Sequence, residues 1–130
     1  MTGFVSAPIG AGDLIDRITI LALKAERFEA PARRNAALHA LSALTAARDA
    51  ATPSSAALDA LTADLFAVNA ALWDIENALR AHEARGDFGA EFVALARSVY
   101  HRNDRRAAIK RAISTLCDDP LAEDKEHPAY

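Results

Sequence analysis

Three groups of polar side chains in this sequence have the types and spacing to share one site. They are Asp16, Lys24 and Arg27; Asn69, Trp73, Glu76 and Arg80; and Arg97, Tyr100, Asn103 and Asp104. Offsets of three and four put Trp73, Glu76 and Arg80 on one side of a helix, and Arg97, Tyr100 and Asp104 on one side of another. Arginine grips carboxylates and phosphates through a planar fork, while Asn and Tyr supply orienting hydrogen bonds. Such a set suits a small anionic ligand held between helices. It equally suits a buried network in which each charge answers another. Spacing alone leaves both open.

Other chemistries are poorly supported. The sequence has no G-x-S-x-G motif and no glycine-rich phosphate loop after a strand, and its one cysteine, Cys117, has no histidine close by in sequence. A single cysteine cannot form an internal disulfide and reads as a small hydrophobe. His39, His82, His101 and His127 are scattered and match no metal-ligand spacing, so no metal and no cofactor is expected. His101 with Asp104 and Glu83 would make only a weak carboxylate–imidazole site, and a solvated His101 is the simpler reading. Six cations lie between Arg97 and Arg111, namely Arg97, Arg102, Arg105, Arg106, Lys110 and Arg111, but they fall all round a helix. A net charge of −3 also argues against a nucleic-acid stripe.

The elements that must position these residues are helices. The chain of 130 residues is rich in alanine, 52% hydrophobic and 25% charged, which suits one helical domain over 1–130. An N-terminal segment 1–12 and an acidic tail 118–130 flank it. The five glycines and five prolines cluster at a few breaks. They predict helices over about 13–28, 32–50, 53–85 and 90–117, with Thr52 an N-cap, Gly86 a C-cap and Asp87 a second N-cap. Pro31 stops or kinks the first segment. The predicted fold is an all-α, elongated antiparallel bundle of three long arms, the first kinked near Pro31, with a four-helix bundle as the alternative. No window of about 18 apolar residues and no signal peptide is seen, which leads to the expectation of a cytoplasmic protein without a membrane span.

Helix one reads as apolar on two sides. Leu14, Ile18, Leu21, Ala25 and Phe28 form one stripe, while Ile20 and Leu23 lie opposite, flanked by Asp16 and Arg27. A second apolar face implies either a central helix or a contact with a protein partner or a second copy. Helix three carries a ladder of Leu58, Leu65, Leu72 and Leu79, with Leu61, Val68 and Ile75 beside it and a polar strip of Thr62, Asn69, Glu76 and Glu83 adjacent. Helix four has a core stripe of Leu95, Val99, Ile109, Ile113 and Leu116, with Arg102 and Arg106 in its gap. The spacing predicts Arg97 and Asp104 facing inward near Glu76 and Arg80. Arg102, Arg105 and Arg106 are then mainly solvated or paired with the tail acids Asp118, Asp119, Glu123, Asp124 and Glu126, while Asp16, Glu76 and Glu83 are candidate partners for some of the cations between Arg97 and Arg111.

The stretches "GDLIDRITILALKAERF", "NAALWDIENALR", "FVALARSVYHRNDRRAAIKRAI" and "AEDKEHPAY" together resemble a family of small uncharacterised helical bacterial proteins, encoded near glycosyltransferases and tetratricopeptide proteins of surface-glycan synthesis. The resemblance covers most of the chain except 32–63. The family pattern has acids where this chain has Ala22 and Asn77. Its signature falls on Asp16, Thr19, Lys24, Arg27, Trp73, Glu76, Arg80, Arg97, Tyr100, Asn103, Asp104 and Lys110. It implies an accessory or interaction protein and no defined reaction. "LIDRITILALKAERF" is also similar to the first helix of chorismate mutases, which implies the rival reading: a small-anion-binding protein or enzyme with its site between helices one, three and four.

Overall fold

The computed structural model describes residues 3–121 and 126–130, and among them the secondary structure is helical with no strand. Four helices follow in order: α1 (Ala11–Arg27), α2 (Pro31–Ala51), α3 (Ala56–Arg85) and α4 (Ala90–Leu116). The all-α bundle is therefore as the alanine content and sparse breakers indicate, and the four-helix form describes it. Pro31 does not kink a long first arm. It occupies the first turn of α2, where its missing N–H costs nothing. Arg34 donates to the carbonyls of Phe28 and Glu29, at 3.2 and 3.1 Å, and so holds the break. The chain reverses there, and α2 runs back along α1.

Two other boundaries move for identifiable reasons. Ser55, not Thr52, caps α3, its hydroxyl accepting from the Leu58 N–H at 3.1 Å. Thr52 instead ends α2, donating to the Arg48 carbonyl at 2.8 Å. Gly86 terminates α3 in the left-handed region (φ 65°), which a residue without a Cβ adopts freely. The N-cap of α4 is Gly89, and Asp87 lies two residues outside it, accepting from the Gly89 N–H at 3.2 Å.

α3 and α4 form the long hairpin, and α1 lies against both. The core comprises Ile15 of α1, Leu58, Leu65, Val68 and Leu72 of α3, and Ile109 and Ile113 of α4. Leu14 and Ile18 are buried too, yet outside this cluster, and α1 packs against α2 as well as against the hairpin. α1 is therefore the central helix. The pattern of two apolar sides is met within the chain, by α2 and by the hairpin. α2 has no Cα within 8 Å of α3 or α4.

α1 ends beside Trp73 and Asp74: Phe28 packs on Trp73 with ring centroids 6.0 Å apart, and Arg27 pairs with Asp74 at 2.8 Å. Beyond that level no other helix packs on α3 and α4. The ladder and stripe accordingly fade, with Ile75, Leu79, Leu95 and Val99 only half-buried. Leu116, at the other end, is exposed. By length and composition α3 is apolar enough to cross a membrane, contrary to the reading that no such window exists. Its leucines at 58, 65 and 72 are buried in the bundle seam.

Candidate functional site

The anticipated polar cluster separates into three places and a remainder. The first is a buried node at the junction of α1, α3 and α4. Asp16 is only 5% exposed. Arg106 of α4 reaches it with two donors, Nε to Oδ1 at 2.9 Å and Nη2 to Oδ2. Asn69 of α3 donates from Nδ2 to Asp16 Oδ1 and to Thr19 Oγ1, both at 2.9 Å. Thr19 Oγ1 donates in turn to the main-chain carbonyl of Asp16 at 2.8 Å. Burial is the largest influence on the Asp16 carboxyl and pushes its pKa up. The hydrogen bonds from Arg106 and Asn69, and the charges of Arg106 and Lys110, outweigh it and hold the group below its ordinary 3.8. Lys110 pairs with Asp13 one turn away, at 2.8 Å.

The second place is the surface at the end of α1. There the Arg27 guanidinium, ion-paired with Asp74, sits 5.8 Å from the Trp73 ring centre. The third is the outward face of α4, where Tyr100, Asn103, Asp104 and Arg111 line an open groove of about 1110 Å³ beneath residues 127–130. Glu76, Arg80 and Arg97 are exposed, and among the described residues none makes a side-chain hydrogen bond or ion pair. Lys24, half-buried, makes none either.

This corrects the predicted inner quartet. Arg97 and Asp104 do not face Glu76 and Arg80 inside the bundle; all four are exposed. Periodicity placed them correctly on shared helix sides but not the neighbour those sides meet, because α1 stops at Trp73 and never covers them. The inward cation is Arg106, for which the spacing predicts solvent or the tail acids. Its sign in the sequence is its position in the gap of the apolar stripe of α4, with Asp16 as an available acid. Arg102 and Arg105 are exposed, and no described acid pairs with them. Glu123 and Asp124, suggested as tail partners, lie outside the described residues.

A further polar contact escaped the sequence reading. The N-cap of α1 is Gly10, which has no side chain to offer, and Asp119 supplies one from beyond α4. Asp119 accepts from the Ala11 N–H at 2.9 Å and from Ser114 Oγ at 2.9 Å, while Ser114 Oγ accepts from the Gly12 N–H at 3.3 Å. Burial raises the Asp119 pKa, but donors from Leu121, Ser114 and Ala11 bring it below the ordinary value. Gly10 and Gly12 permit the approach: a Cβ at Gly12 would lie 2.5 Å from the Lys110 carbonyl oxygen. Cys117, half-buried nearby, has its thiol pKa raised by burial and by the charges of Asp119 and Asp118.

The described residues contain no group of three His, Cys, Asp or Glu side chains placed to hold a metal. No buried side-chain nitrogen or oxygen among them lacks a hydrogen-bond partner. The fold and this node define a four-helix protein with a central first helix tied to the hairpin by one buried ion pair. No family model, curated protein or solved structure matches the chain.

Proposed function

We propose that this is a non-catalytic helical binding protein whose recognition surface is the outward face of α4. One contrast carries the reading. Among the described residues no buried side-chain nitrogen or oxygen is left without a hydrogen-bond partner, whereas Tyr100, Asn103, Asp104 and Arg111 line an open groove. A small-anion enzyme between helices one, three and four would need interior arginine with unmet hydrogen-bonding capacity aimed at open space, and Arg106 is committed to Asp16. The resemblance to proteins encoded beside surface-glycan genes supports an accessory role in envelope-glycan synthesis, in the cytoplasm.

Photo-crosslinking in the native host tests this. A benzoylphenylalanine at Ala96 or Ala107, both in the groove, should give one discrete adduct that the same probe at Leu38 on α2 does not. Equal labelling from all three positions, or none from Ala96 and Ala107, would remove α4 as the recognition face.

A further inference from the structure

We propose that the groove on α4 is a docking site for a short extended peptide bearing an aromatic side chain, with residues 127–130 of this chain as its tethered, displaceable occupant. The inference rests on the reading of α4 as the recognition face and assigns the chemistry of what binds there.

The face has the form of an unoccupied packing seam. Val93, Ala96, Tyr100, Asn103 and Ala107 follow one another at offsets of three and four, the spacing of a helix side that meets another segment. Yet among the described residues the groove is lined by α4 and by residues 127–130 alone, and Val93 and Tyr100 are 48% and 42% exposed. The small alanines on either side of Tyr100 and Asn103, Ala96 and Ala107, leave room for a backbone to approach.

The segment resting there displays the matching chemistry. The Tyr130 ring sits 5.0 Å from both Tyr100 and His101, at 76° and 71°, so both contacts are edge-to-face. Its hydroxyl donates to the Tyr100 carbonyl at 3.4 Å, a long bond. Pro128 biases His127 towards an extended backbone, the form in which peptides lie in aromatic-lined grooves. The hold is slight, however. Tyr130 stays 67% exposed, and about 1110 Å³ of groove remains open beside the segment. An occupant held by two ring contacts and one long hydrogen bond gives way to a peptide that fills the rest.

The probe is a fluorescein-labelled, C-terminally amidated peptide with the sequence of residues 126–130, EHPAY. It is titrated by anisotropy into the wild-type chain, into Tyr130→Ala and into Tyr130→Ala/Tyr100→Ala, with far-UV circular dichroism confirming that each variant is folded. A tethered competitor acts at roughly millimolar effective concentration, so removing it should tighten peptide binding by about tenfold. Adding Tyr100→Ala should abolish the gain. Equal affinity for the wild type and Tyr130→Ala, binding indifferent to Tyr100, or no binding up to millimolar protein would each overturn the proposal. Growth of Tyr130→Ala into dimers by light scattering, reversed by Tyr100→Ala, would overturn it in favour of a second copy on the same seam. A discrete crosslink from Ala96 without peptide binding would leave α4 as the recognition face and refute only the aromatic-peptide assignment.

Discussion

Replacing Arg106 with alanine isolates the energetic role of the buried node. The Asp16 side chain is 7% exposed and that of Arg106 29%, so the substitution strands a carboxylate that water reaches only through the space Arg106 vacates. Breaking a buried pair by removing one partner costs about 3–5 kcal/mol. Asn69 still donates to Asp16, and the partial opening admits solvent, which places the loss near the lower end, at about 3 kcal/mol. Asp16→Ala should cost about 2 kcal/mol: Arg106 can turn towards water, while Asn69 keeps Thr19 but loses its other acceptor. The double variant should be less destabilised than the sum of the two singles, because once one partner is gone the other has no pair left to lose. Arg97→Ala, on exposed α4, should cost less than about 0.5 kcal/mol. Urea unfolding followed by far-UV circular dichroism measures all four, provided the slope with denaturant stays constant. A loss for Arg106→Ala no larger than that for Arg97→Ala, or simple additivity in the cycle, would refute the assignment of the node as the tie between α1 and the hairpin.

Three further outcomes follow from the same geometry. Gly12→Ala should destabilise by about 1–3 kcal/mol, since its methyl meets the Lys110 carbonyl and α1 must lift off α4; a thermal melt unchanged from wild type would contradict this. Stability should be flat above about pH 5 and fall as pH drops below the ordinary carboxyl value of 3.8. Asp16 and Asp119 take up protons more readily unfolded than folded, so their contribution is full above that value and is lost on passing through their lowered folded pKa values. Asp16→Asn and Asp119→Asn should each flatten that acid limb in urea unfolding measured at successive pH values. Ser55→Ala should cost about 1 kcal/mol in the same unfolding assay, because it uncaps α3, and a larger effect at Thr52 would reverse the cap assignment.

Much of the architecture is legible because it is local. Gly86 closes α3 and Pro31 marks a helix boundary through backbone geometry that a few residues determine. The two apolar sides of α1 are equally plain, and they correctly admit a central helix. The pairing of sides is not local. Asp16 could meet any of the cations between Arg97 and Arg111, and which one depends on where α1 begins and ends along α4. That register is set partly by Gly12 fitting against the Lys110 carbonyl, a contact with no trace in hydrophobic spacing. The same holds for Asp119, whose cap on α1 spans almost the whole chain. Spacing puts Glu76, Arg80 and Arg97 on helix sides that would be interior only if covered along their full length, whereas α1 stops at Trp73.

The contact between Ala11 and Asp119, 108 residues apart, has a consequence for the order in which the protein is made. The chain leaves the ribosome N-terminus first, so α1 emerges long before the residues that finish its burial. α2 follows at once and can pack against α1 as a local helical pair. The side bearing Ile15, Asp16 and Thr19 stays uncovered until α3 and then α4 have been synthesised, and its charge meets Arg106 only once α4 has emerged. A buried carboxylate suits that wait, because an acid in place of another leucine keeps the nascent helix hydrated on its open side until its arginine arrives.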